Sequence, residues 1–144
     1  MNKYLKIFLF LFGIGLISGI GVYLYVFHKP HRNIAKEKSA FQVTAIQLLD
    51  EFSSDETATY AKYGNQVLEV SGNVADVSKS EGVLSIVLED ASMGVTCAFD
   101  SIYVTGNSDL LKNISTGTSV KLKGQCDGYD MIMGVVLTRC VLVE

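Results

Sequence analysis

Three cysteines, Cys97, Cys126 and Cys140, are the residues of this 144-residue chain best suited to covalent or metal chemistry. Each falls on an expected strand, where free cysteines are most often buried core thiols. A sharper reading pairs Cys126 with Cys140 in a disulfide across two successive strands, which needs their Cβ atoms about 3.5–4.5 Å apart. Zinc is not expected, because there is no C-x-x-C pair, and the two histidines, His28 and His31, lie far ahead of the cysteines. The same histidine positions remove Ser/His and Cys/His catalytic pairs from the rest of the chain. The acid pairs Asp55-Glu56 and Glu89-Asp90 read as solvated faces and turns, not as general acid and base. These residues suggest no enzyme, no cofactor and no metal. They leave a binding role, with Lys79, Tyr103, Tyr129 and Met131 as candidate ligand contacts on strands and loops.

The elements that must position these residues begin with an apolar run. Ile7 to Phe27 holds no charge and, as a helix, spans about 31 Å, close to the ~30 Å core of a bilayer. Lys3 and Lys6 precede it, His28, Lys29, His31 and Arg32 come after it, and Tyr23 and Tyr25 lie at its far end where amphipathic rings favour the interface. A cleaved signal peptide is the alternative. Its apolar region would be shorter, about 7–15 residues, with small residues at the cleavage site, where this chain has Val22-Tyr23-Leu24-Tyr25-Val26. The expectation is a single-pass anchor in a bacterial cell membrane, with the lipid bilayer as one partner. Gly15 and Gly19 form a G-x-x-x-G pair through which two anchors could pack as a homodimer. The short lysine-bearing stub favours a domain on the exported, periplasmic side. The cations of the far flank favour the cytoplasmic side, which stands as the alternative to the expected exported placement.

Charge is split along the chain. Residues 1–40 carry +5 and residues 41–144 carry −8, with fourteen acids against six bases. A basic anchor region suits anionic lipid, and an acidic domain opposes nucleic acid by general electrostatics.

Residues 28–40 read as a basic linker holding the only proline, Pro30, and residues 41–66 as a helical lead-in. Within the lead-in, Thr44 caps a helix whose apolar face is Ala45, Leu48, Leu49 and Phe52. Ser53-Ser54-Asp55 then interrupts and recaps it, and Tyr63-Gly64-Asn65 ends it. From residue 67 the apolar period falls to two: Leu68, Val70, Gly72, Val74, then Leu84, Ile86, Leu88, then Val95, Cys97, Phe99, then Val120, Leu122, and finally Val135 to Val143. Turns fall at Ser78 to Gly82, Ala91 to Gly94 and Asp127 to Gly134. One or two helical turns at Asp109 to Asn113 separate the third strand from the fourth. Three strands, a short helix and two strands is the order of a closed five-stranded OB-fold barrel, here over residues 67–144, with Gly72 giving the bend that closure needs. The fold class is therefore mainly β, with a helical lead-in and one N-terminal transmembrane helix.

From about residue 41 the chain resembles the tRNA-anti-like family of OB-fold proteins. The likeness is carried by Leu48, Phe52, Asp55, Glu56 and Lys62-Tyr63, by Val70-Ser71-Gly72-Asn73-Val74 and by Val95-Thr96-Cys97-Ala98-Phe99. It continues in Lys123-Gly124-Gln125-Cys126-Asp127-Gly128-Tyr129 and Val136-Leu137-Thr138-Arg139-Cys140-Val141-Leu142. The resemblance implies the fold, in a family of small membrane-anchored or exported bacterial proteins, and no particular activity. The expected function is a tethered, non-enzymatic binding module that presents the barrel to a protein, peptide or glycan. The rival is a single-stranded nucleic-acid-binding barrel.

Overall fold

The computed structural model describes residues 2–27 and 32–143, which divide into two units, 1–32 and 33–144. The first is one helix, α1 (Lys3–Phe27), begun a turn ahead of the uncharged run. It is long and apolar enough to cross a membrane and buries none of its residues. His28, Lys29, Pro30 and His31 lie outside the described residues.

The second unit opens with a stretch, 33–40, seated on the barrel. Ile34 is buried, the Lys123 ammonium donates to the carbonyls of Ala35 (3.1 Å) and Glu37 (2.9 Å), and the Ala40 amide donates to the Val67 carbonyl (2.8 Å). The lead-in then begins with a strand that periodicity does not reveal, β1 (Phe41–Thr44), which pairs parallel with the next strand. Four residues with one buried side chain, Val43, are too short to display an alternation.

Helices α2 (Ala45–Ser54) and α3 (Glu56–Tyr63) come next, as expected. The Thr44 hydroxyl accepts the Gln47 amide (3.1 Å) and the Asp55 carboxylate accepts the Ala58 amide (3.0 Å), so each helix has a side-chain cap for an otherwise unpaired donor. Ala45, Leu48 and Phe52 bury the inner face of α2 against the strands. Asn65, at φ 59°, supplies the left-handed residue that turns the chain into the barrel.

The barrel strands are β2 (Val67–Ser80), β3 (Val83–Leu88), β4 (Val95–Phe99), β5 (Ser119–Asp130) and β6 (Gly134–Leu142). Their order is β2-β3-β4-β6-β5, and the β2–β5 pairing closes it, with β4–β6 the one parallel pair among the five and β1 an added strand on β2. Closure works because β2 is long: Val67 to Asn73 pair with β5, and Val74 to Ser80 pair with β3. The register irregularity at this change of partner falls between Val74 and Asp76 and not at Gly72. Gly72 instead permits close approach, since a Cβ there would lie 2.9 Å from both the Ala45 Cβ and Glu89 Oε1. The inward rows, Leu68, Val70, Val74, Leu84, Ile86, Leu88, Val95, Cys97, Phe99, Leu122 and Leu137, form one continuous core. Truncating one such aliphatic side chain to alanine costs about 2–5 kcal/mol.

Between β4 and β5 the connector has two short helices, α4 (Ser101–Gly106) and α5 (Ser108–Lys112), where the sequence suggested only the second. Val104 and Leu111 anchor them to the core.

Candidate functional site

The turn between β3 and β4 and the turn between β5 and β6 are built alike. In the first, Asp90 Oδ1 accepts the amides of Ser92 (2.7 Å) and Met93 (3.2 Å). In the second, Asp130 Oδ1 accepts those of Ile132 (2.7 Å) and Met133 (3.0 Å). Each aspartate closes its own turn in the manner of an Asx-turn. The amides of Ser92 and Met93 hold the Asp90 carboxyl below the usual carboxylate range.

These two turns pack on each other because β4 and β6 run parallel and start at the same end of the barrel. The Thr96 hydroxyl donates to the Met133 carbonyl (2.8 Å), and the Val135 amide donates to the Gly94 carbonyl (3.2 Å). Gly134, at φ 73°, stands so close to the Gly94 carbonyl that no Cβ would fit. The backbones are fixed, and the side chains they carry are not covered. Met131 and Ile132 are 86% and 82% exposed, and Met93 and Met133 are exposed beside them. Large exposed apolar side chains gathered in one place mark an interaction surface, whereas scattered ones do not. Asp90 and Asp130 rim this patch, Glu89 adjoins Asp90 in sequence, and Asp127 lies three residues before Asp130.

The outer face of the sheet is different. Its cross-strand rows run Asp76–Val87–Thr96–Val136 and Ser78–Ser85–Ala98. In OB-folds the face of the second and third barrel strands, here β3 and β4, is where oligonucleotides lie, held by stacking rings and a basic groove. These rows contain neither a ring nor a base.

The four candidate contacts do not converge. Lys79 is exposed near the end of β2, opposite Leu84 at the start of β3, the far end of that strand from the paired turns. Tyr103, expected as an exposed platform, is half-buried: its ring stacks on Phe99 (centroids 5.9 Å) and its hydroxyl accepts the Leu142 amide (3.0 Å). Tyr129 is likewise half-buried, stacked on Phe52 (6.3 Å). Their neighbours along the chain carry no sign of either partner, because both pairings need the folded connector or α2. Met131 alone of the four belongs to the paired turns, and Met93 is the exposed apolar residue of those turns that sequence reasoning missed. The signal for it was present: Asp90-Ala91-Ser92-Met93-Gly94 and Asp130-Met131-Ile132-Met133-Gly134 share the spacing Asp-x-x-Met-Gly.

Cys126 lies opposite Leu137 in the β5–β6 ladder and not opposite Cys140, and all three cysteines are buried free thiols. Gly15 and Gly19 lie in an open groove of α1 flanked by Leu11, Phe12, Leu16, Ile20 and Tyr23. A polar recess of about 200 Å³ lies beside β1, but its lysine, Lys121, is already paired with Glu69 at 3.3 Å.

The tRNA_anti-like family model matches residues 1–142. The chain belongs to the tRNA_anti-like family. Among solved structures, this tRNA_anti-like barrel is similar to a lipoprotein from Klebsiella pneumoniae subsp. pneumoniae MGH 78578 for which nucleic-acid binding has been proposed. Identity is 17%, with 73% of this chain and 93% of that chain covered and a TM-score of 0.58. It also matches the S. pombe Stn1–Ten1 complex at 16% identity, over 54% of this chain and 58% of that chain, with a TM-score of 0.41. Entamoeba histolytica asparaginyl-tRNA synthetase matches at 13% identity, over 55% of this chain and 21% of that chain, with a TM-score of 0.43. No curated protein matches the chain. At these identities the likeness establishes the OB fold and transfers no ligand to this tRNA_anti-like protein.

Proposed function

We propose that the chain is a non-enzymatic OB-fold binding module, tethered by α1 in the membrane with its barrel on the exported side. Its paired turns take a protein or peptide segment that offers apolar side chains flanked by basic ones. The observation that carries this reading is the union of two Asp-capped turns into one rigid base under Met93, Met131 and Ile132. Methionine adapts to irregular apolar partners, and a rigid base lowers the entropy lost on binding. The acids around the patch, within a domain of charge −8, select for a basic surround in the partner. Tethering adds effective concentration at the membrane without any new contact.

A single-stranded nucleic-acid ligand is the second reading, favoured by the likeness to the Klebsiella lipoprotein. It is opposed by the neutral outer face of β3 and β4 and by the acidic balance of the barrel.

Full-length chain in detergent micelles, probed in parallel with a phage-displayed random peptide library and a labelled single-stranded oligonucleotide at ~50 mM salt, separates the two. The expected result is enrichment of peptides that combine apolar and basic residues, with binding weakened about tenfold or more by Ile132→Asp and unchanged by Lys79→Ala. Oligonucleotide binding that falls with salt and survives Ile132→Asp would overturn the peptide reading. A C-terminal reporter active only outside the cytoplasm is expected for the exported barrel, and cytoplasmic activity would reverse the sidedness.

A further inference from the structure

The sulfur atoms of the chain fall into two groups. The three cysteines are buried free thiols on β4, β5 and β6. Of the four methionines, one is Met1, and the other three, Met93, Met131 and Met133, all lie in the paired turns. These three are 44%, 86% and 47% exposed, and none belongs to the core cluster. The folded barrel therefore meets a dissolved oxidant with its thioethers outward and its thiols inward. A thioether reacts through its lone pair and has no proton to lose. A thiol must first ionise, and burial pushes the Cys126 thiol up to about 11 and that of Cys140 well above the ordinary thiol range. The base beneath the methionines does not depend on their side chains. Asp90 and Asp130 hold the amides of Met93 (3.2 Å) and Met133 (3.0 Å), and the turns are joined through the Thr96 hydroxyl, the Val135 amide and two backbone carbonyls. Chemistry at Sδ thus changes the surface and leaves its support in place.

We propose that Met93, Met131 and Met133 are a reversible oxidation site that switches the patch off. The oxidant is a peroxide. The Sδ lone pair attacks one peroxide oxygen, the O–O bond breaks and an S–O bond forms. Sulfur loses two electrons, and with hydrogen peroxide the second oxygen leaves as water. The product is methionine sulfoxide, a polar and chiral group in place of an apolar one. Covering it with an apolar partner takes a strong acceptor out of water with no donor to meet it. A thiol-bearing methionine sulfoxide reductase reverses the step: two thiols become a disulfide and the added oxygen leaves as water. The matched Asp-x-x-Met-Gly spacing puts a methionine on each turn, so oxidation strikes both halves of the surface. The switch rests on the peptide reading proposed above, whereas the site of oxidation rests on exposure alone.

The test treats the full-length chain in detergent micelles with hydrogen peroxide, quenches it and maps the digest by mass spectrometry. One added oxygen is expected on each of Met93, Met131 and Met133, at rates within about threefold of those in urea, with the three cysteines unmodified. The melting temperature should stay within about 2–4 °C of the untreated chain. The probe is then the peptide pool that phage display enriches on the untreated chain. Its binding should weaken about tenfold on oxidation and return after treatment with the reductase. Cysteines oxidised ahead of the methionines, or a larger fall in melting temperature, would overturn the site. Binding unchanged in fully oxidised chain, or lost and not restored by the reductase, overturns the switch alone. An untreated chain that enriches no peptide overturns the peptide reading and the switch with it, while the map of oxidised methionines stands.

Discussion

The hydroxyl of Tyr103 accepts the backbone amide of Leu142 at 3.0 Å while its ring lies on Phe99 at 5.9 Å, so one side chain of the α4 connector holds the end of the last strand. Tyr103→Phe keeps the ring and removes the acceptor from a half-buried amide. The expected loss is about 1 kcal/mol, seen as a fall of roughly 4–8 °C in the melting temperature. Peptide binding should be unchanged, which separates a structural tyrosine from a ligand-stacking one.

Gly124→Ala places a methyl 2.6 Å from Cys140 Sγ, at the point of the β5–β6 ladder where Arg139 and Cys140 together stand opposite Gly124. Over-packing of this kind costs about 1–3 kcal/mol. Cys140→Ala empties that space, so the double variant should lose less than the sum of the singles in urea denaturation.

Acid should loosen the α2–α3 pair. Glu51 accepts Lys62 Nζ (2.9 Å), Gln47 Nε2 (2.9 Å) and the Tyr63 hydroxyl (3.0 Å). The Lys62 hydrogen bond first, then those of Gln47 and Tyr63, hold its carboxyl below the ordinary 4.5 against the opposing effect of burial. A carboxyl lowered in the folded state stabilises it fully above its unfolded value, and that contribution is lost as pH falls through the folded one. Both charged partners are partly exposed, which limits the gain to less than about 1 kcal/mol. Urea midpoints of wild type should drop between pH ~5 and ~3 by more than those of Glu51→Gln, whose slope should be flatter.

Substitutions at the turn tips should leave stability alone. Met131→Ser and Ile132→Asp alter side chains already in water, and their unfolding free energies should stay within about 0.5 kcal/mol of wild type. Ile86→Ala, in the sealed core, should cost about 2–5 kcal/mol in the same assay.

Cys126 is buried, which pushes its thiol up to about 11. At pH ~8 only about a thousandth is thiolate, so native chain should react far more slowly with an alkylating reagent than chain in urea. Equal rates would show that the β5 core opens readily.

Periodicity read the barrel well because burial is local in a strand: one inward face repeats every two residues, and Leu84-Ser85-Ile86-Val87-Leu88 states its own alternation. The caps Thr44 and Asp55 were legible for the same reason, since each bonds an amide three residues on. Strand β1 escaped because four residues take their identity from a partner, β2, more than twenty positions away. The candidate site was half legible. Met131 stood out as an apolar residue in a turn, but Met93 joined it only through a parallel pairing of β4 with β6.

By itself the sequence determined the long apolar N-terminal helix, the acidic charge of the domain beyond it and the order of strands, all properties of composition or short-range pattern. Only the tertiary structure decided what the side chains meet. The register of β5 on β6, with Asp130 opposite Gly134 and Cys126 opposite Leu137, set Cys126 apart from Cys140, and packing took Tyr103 and Tyr129 off the surface. The physical reason is that inward or outward direction is set by neighbours along the chain, whereas contact is set by register between strands, and one extra residue in a ladder changes it.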